Sequence, residues 1–108
     1  MRILIDECLP CELGDELVGH DVRTVQQAGW AGLRNGELLR KISGGFEVFL
    51  TIDKRIESEQ QVPKGVALIT VGAQSNRIQD LRPLVPEILR AVTETPPGKH
   101  ARVGRITG

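Results

Sequence analysis

Four acidic side chains stand where the hydropathy pattern puts the ends of elements. Asp6 and Glu7 close one short apolar run and Asp53 closes another. Glu37 falls in the first turn of a helix that Asn35 is placed to cap, and Ser75 and Asn76 follow a third apolar run at 66–71. Carboxylates gathered in one place repel and raise one another's pKa unless a cation lies among them. A hard divalent ion such as Mg²⁺ or Mn²⁺ meets that need, because it takes oxygen ligands from one or a few carboxylates and keeps several waters. Two such ions about 4 Å apart would activate water and stabilise the leaving oxygen of a phosphodiester. Each acid taken singly reads equally well as a helix cap or a solvated loop residue, so convergence is what would make a site.

Convergence depends on the elements between these residues. Residues 1–5 read as a strand, and Leu9, Leu13 and Leu17 recur at helical spacing behind Pro10, with Gly19 as a C-cap. A second strand is expected at 21–25, a glycine-rich loop at 27–34 and a helix at 36–42. Ser43, Gly44 and Gly45 break that helix before a third strand at 46–52. The polar stretch 54–61 is a further helix candidate. Pro63, Lys64 and Gly65 turn the chain into 66–71, whose unbroken apolar character fits a strand covered on both faces. Ile78, Leu81, Leu84, Val85, Ile88, Leu89 and Val92 form the apolar side of a last helical stretch, which Pro83 and Pro86 must start or split. Strands alternating with helices predict an α/β fold with a mainly parallel sheet and helices on both faces. Ligands of such sheets bind outside the carboxyl ends of the strands, where the acids are expected. The domain is expected to occupy residues 1–94, with 95–108 a tail or a late edge strand whose candidate segment is 101–106.

With 108 residues, 40% of them apolar, the chain makes one small domain. No apolar run approaches the ~20 residues that span a bilayer and no signal peptide is evident, so a soluble, cytoplasmic protein is expected. Fourteen basic residues balance fourteen acidic ones, which excludes a uniformly basic nucleic-acid coat; an aromatic content of 3% excludes a base-stacking platform. The balance hides a division, since residues 1–60 hold eleven acids against seven bases while 77–108 hold six bases against three acids.

The strings MRILIDECLP (1–10), GHDVRTV (19–25), GWAGLRNGELL (29–39), FEVFLTID (46–53) and SNRIQDLRPLVPEIL (75–89) together resemble the small bacterial PIN-like proteins related to toxin-type endoribonucleases. The resemblance runs from residue 1 to about 92. It implies a three-layer α/β/α sandwich and a metal-dependent endoribonuclease, with Mg²⁺ or Mn²⁺, that is held in check by a partner antitoxin. Asp6 resembles the first-strand aspartate of that family, Glu37 the acid at the start of the middle helix, and Asp53 the aspartate of a Thr-x-Asp motif. All three would be catalytic metal ligands. Thr51 would orient Asp53 through its hydroxyl. The family's fourth acid, two residues after that aspartate, falls on Arg55, which weakens a second metal site: either Glu7 replaces the lost carboxylate, or one metal serves, or activity is lost. Thr51, Arg55, Ser75, Asn76 and Arg77 are expected to meet RNA, the last two by holding a phosphate after the fourth strand. Trp30 and the apolar final helix could serve a homodimer or antitoxin interface, although a lone Trp in a glycine-flanked loop is more often core.

Two rivals remain. Cys8-Leu9-Pro10-Cys11, after a strand and at a helix start, resembles a thioredoxin-type C-x-x-C, where a helix N-terminus lowers a thiol pKa. Arg55 leaves room for a PIN-like fold that binds without cutting. A phosphoacceptor receiver domain fits less well, for want of a lysine after a fifth strand. His20 and His100 have no metal-ligand spacing to other His or Cys.

Overall fold

Five short strands pair side by side in the order β2-β1-β3-β4-β5, and every pairing is parallel. They are β1 Arg2–Ile5, β2 Asp21–Thr24, β3 Val48–Thr51, β4 Ala67–Gly72 and β5 His100–Gly104. The computed structural model describes residues 1–104 of the chain. Between the strands lie α1 Glu12–Glu16, α2 Asn35–Ile42, α3 Lys54–Glu59, α4 Ile78–Leu81 and α5 Val85–Glu94, with a 3-10 turn at Arg82–Leu84 joining the last two. The expected α/β fold with a parallel sheet is therefore present. The expected tail contains edge strand β5, and positions 105–106 of its candidate segment lie outside the described residues. No described helix is long and apolar enough to cross a membrane.

Alternation along the central strands divides the core into two clusters. Ile3, Ile5, Val48, Leu50, Ala67, Ile69 and Val71 pack with Leu13 of α1, Leu81 of α4 and Ile88 and Val92 of α5. Leu4, Phe49 and Leu68 pack with Leu38, Leu39 and Ile42 of α2 and Ile56 of α3. Burial of both sets explains why residues 66–71 are apolar without interruption. Ile88 and Val92 of α5 are buried in this core, and Trp30 packs at its margin, meeting Phe46 edge to face with ring centroids 5.9 Å apart. Trp30, Leu84, Val85 and Leu89 stay partly exposed.

Pro83 and Pro86 split the last helical stretch rather than merely opening it. Each sits in the first turn of its own segment, where the missing N–H has no intrahelical partner to lose. Asn35, expected as the cap of α2, is instead its first helical residue, and Arg34 holds the cap position in extended backbone. The Asn35 side chain lies close enough to the Asp53 carboxylate to favour its charged form.

A candidate site at the carboxyl edge of the sheet

The strand order reverses direction between β1 and β3, with β2 on one side of β1 and β4 and β5 beyond β3. In parallel sheets such a switch point, outside the strands' carboxyl ends, is where ligands bind. Asp6 follows β1 there, and Asp53 lies two residues after β3. Asp6 is 8% exposed and Thr51 is fully buried. The Thr51 hydroxyl donates to Asp6 Oδ2 at 2.7 Å, and the Glu7 backbone N–H donates to Asp6 Oδ1 at 2.8 Å. The Cys8 thiol adds a longer contact to Asp6 Oδ2 at 3.4 Å.

Thr51 was expected to aim Asp53, but its hydroxyl donates to Asp6 and accepts the Asp53 backbone N–H at 3.0 Å. The cause is parity. Thr51 lies on the same face of the sheet as Asp6, one step beyond the Ile5–Leu50 pair, while the chain has already turned away at Asp53 to begin α3. One threonine therefore fixes the side chain of one acid and the main chain of the other.

Asp53 caps α3. Its Oδ1 accepts the Arg55 backbone N–H and the Arg55 Nε–H, both at 3.0 Å, and its Oδ2 accepts Arg55 Nη2 at 3.0 Å. The Arg55 side chain is 74% exposed, against 23% for Asp53. Hydrogen bonding to the guanidinium holds the Asp53 carboxyl below its ordinary pKa against the opposing effect of partial burial, and the same contact raises that of Arg55.

The other expected site residues are more dispersed. Glu7 and Glu37 are exposed, Glu37 in the first turn of α2 two positions after Asn35. After β4, the Ser75 hydroxyl donates to Asp80 Oδ2 at 2.6 Å and accepts the Arg77 backbone N–H. Asn76 Nδ2 donates to the Cys8 carbonyl at 3.0 Å, which ties the loop after β4 to the loop after β1. The Arg77 side chain is exposed. Beside this loop an open cleft of about 640 Å³ is lined by Gly72, Gln74, Gln79 and Asp80 among others.

Both cysteines are free. Burial raises the Cys8 pKa, aided by the Asp6 charge, and the hydrogen bond to Glu12 raises that of Cys11. A redox C-x-x-C needs the opposite shift.

Sequence reasoning missed the row in which Thr51 stands. Thr51 pairs in register with Thr70, and Thr70 with Arg102. The Thr70 hydroxyl donates to Glu57 Oε2 at 3.1 Å, and Arg102 Nε donates to Glu57 Oε1 at 2.7 Å. Burial works to raise the pKa of Glu57, but these donors, with Arg102 foremost, hold it below the ordinary range. The readable signal was a buried threonine near the carboxyl end of each of two adjacent apolar strands, Thr51 and Thr70.

Would these residues hold the ion that the acids imply? Among the described residues no three His, Cys, Asp or Glu side chains gather closely enough to make a metal cage by themselves. A Mg²⁺ site does not require one, since it uses one or two carboxylates together with waters and substrate phosphate. A carboxylate has about four lone-pair positions, and the contacts to Asp6 leave capacity unused. The donor set thus fits a single hard ion held by Asp6 with waters completing its shell. Both oxygens of Asp53 are engaged by Arg55. No protein family, curated protein or solved structure matches the chain.

Proposed function

We propose that the protein is a PIN-like, metal-dependent ribonuclease of the toxin type, which hydrolyses RNA phosphodiester bonds at the carboxyl edge of its sheet. The observation that carries this reading is Asp6: a buried carboxylate at the switch point, aimed by the Thr51 hydroxyl at 2.7 Å and with accepting capacity to spare. An acid buried without a cationic partner is costly, and its hydrogen bonds fix where its remaining lone pairs point.

Bound Mg²⁺ or Mn²⁺ would supply Lewis acidity and a more acidic water. The chain's own residues hold and orient. Asp6 anchors the ion and Thr51 locks the Asp6 rotamer. Glu7 and Glu37 give the rim its negative charge. Asn76 holds the loops after β1 and β4 together, next to exposed Arg77. An antitoxin that keeps such an activity in check in the cytoplasm is the partner this reading calls for.

Single-stranded RNA should be cut with Mg²⁺ or Mn²⁺, and cutting should disappear in EDTA or with Asp6→Asn. If wild type and Asp6→Asn degrade RNA identically with metal present, the proposal is lost. A second reading, a binding module without turnover, is favoured by the Arg55 guanidinium on Asp53. It predicts that RNA or a protein partner is held in EDTA and that metal brings no cleavage.

A further inference from the structure

Resting on the ribonuclease reading, the geometry at Asp53 points to a second role: Arg55 takes the place of a second cation and grips the RNA phosphate itself, as a guanidinium fork held in position by Asp53. Where the PIN-like resemblance implies an acid, the chain carries a cation. That cation lies on both oxygens of Asp53, so the oxygens a second metal would use are already engaged.

The fork is not exhausted by this pairing. A guanidinium carries five N–H donors in one plane. Asp53 accepts the one on Nε and one on Nη2. The remaining donors, the second on Nη2 and both on Nη1, belong to a side chain that is 74% exposed. Their planar spacing matches two phosphate oxygens, which a single ammonium cannot do.

Asp53 restricts the fork in two ways. It caps α3 through the Arg55 backbone N–H, which fixes the carboxylate relative to the helix, and it binds the side chain of the same residue. Asn35 of α2 lies close to the carboxylate and favours its charged form. A long side chain that would otherwise lose rotamer freedom on binding is ordered beforehand, which lowers the entropic cost of gripping a ligand. The pair is also neutral in sum, so a phosphate approaching it does not meet the bare charge of Asp53.

The test separates this role from simple neutralisation. If Arg55 did no more than cancel Asp53, removing both charges would change nothing. Binding of a fluorescent, uncleavable 2′-O-methyl RNA single strand is measured by anisotropy in EDTA across a salt series, for wild type, Asp53→Asn/Arg55→Gln and Arg55→Lys. The double variant is expected to bind about tenfold more weakly. Its salt slope should be shallower by about 0.7, the value of one phosphate contact on a single strand. Arg55→Lys should restore the slope but not the affinity. A double variant that binds with wild-type affinity and slope overturns the proposal, as does a wild type that binds no RNA. Because the measurement excludes metal and turnover, loss of binding in the double variant stands even if no cleavage is found. Cleavage by wild type beside an unaffected double variant would sink the fork and spare the ribonuclease.

Discussion

Two arginine–carboxylate pairs flank helix α3, and they do opposite things. Asp53 and Arg55 are two residues apart, at the helix start, with the arginine 74% exposed. Glu57 and Arg102 are 45 residues apart, and the Glu57 side chain is 5% exposed. The first pair is local and solvated, so its partners can change without moving the backbone. The second joins α3 to edge strand β5 and, through Thr70, to β4. A buried carboxylate that loses its cation has no water to turn to. Chemistry is therefore expected at the exposed pair and stability at the buried one, although both rest on the same helix.

The contrast is sharpest in the buried pair. Arg102→Ala leaves Glu57 with only Thr70 and His100 beside it and should cost about 2 kcal/mol in a denaturant melt. If the midpoint does not move, Glu57 is not the anchor described. Thr51→Val tests the link between the regions, since it keeps the shape of the side chain and removes the donor to Asp6. A loss of about 1–2 kcal/mol is expected, with cleavage of RNA reduced roughly tenfold or more because Asp6 is no longer aimed.

Acid should dissolve both pairs, unequally. The carboxyls of Asp53 and Glu57 are depressed in the folded state, so the unfolded chain binds protons first as pH falls. The stability they contribute is fully present above the unfolded values near pH 4 and is lost as pH drops through the lower folded values. Thermal melts from pH 6 to pH 2.5 should show that decline in wild type and a shallower one in Arg102→Ala. The smallest effect belongs to Arg55→Gln, whose melting midpoint should match wild type while its RNA binding weakens. A large loss of stability there would erase the distinction between the pairs.

Much of this architecture was legible in the sequence. Short apolar runs alternating with amphipathic stretches announced parallel strands, and the acids at their ends marked the carboxyl edge before any pairing was known. What stayed hidden were bonds set by register. Nothing in the string of residues says that Thr51 faces Asp6 rather than Asp53, because that depends on which face each strand presents at its last residue. The Glu57–Arg102 pair was hidden for a related reason. Its arginine lies in a segment that reads as a tail or a late edge strand, and only the pairing of β5 with β4 brings it to Glu57. Asn35 was misplaced by a single position, yet that position decides whether its side chain caps α2 or meets Asp53.

The all-parallel sheet also governs when the site comes into being. Parallel neighbours cannot be joined by a tight hairpin, so every strand pairing closes a long loop. The bond from Thr51 to Asp6 spans 45 residues, as does that from Arg102 to Glu57. Contacts at such separation form slowly and late, after the entropy of closing the chain has been overcome. A nascent or partly folded molecule would carry every acid of the crevice and none of its geometry. The proposed ribonuclease activity should then appear in one step with the last docking of the sheet, and a cell making this protein would meet it only once the fold is closed.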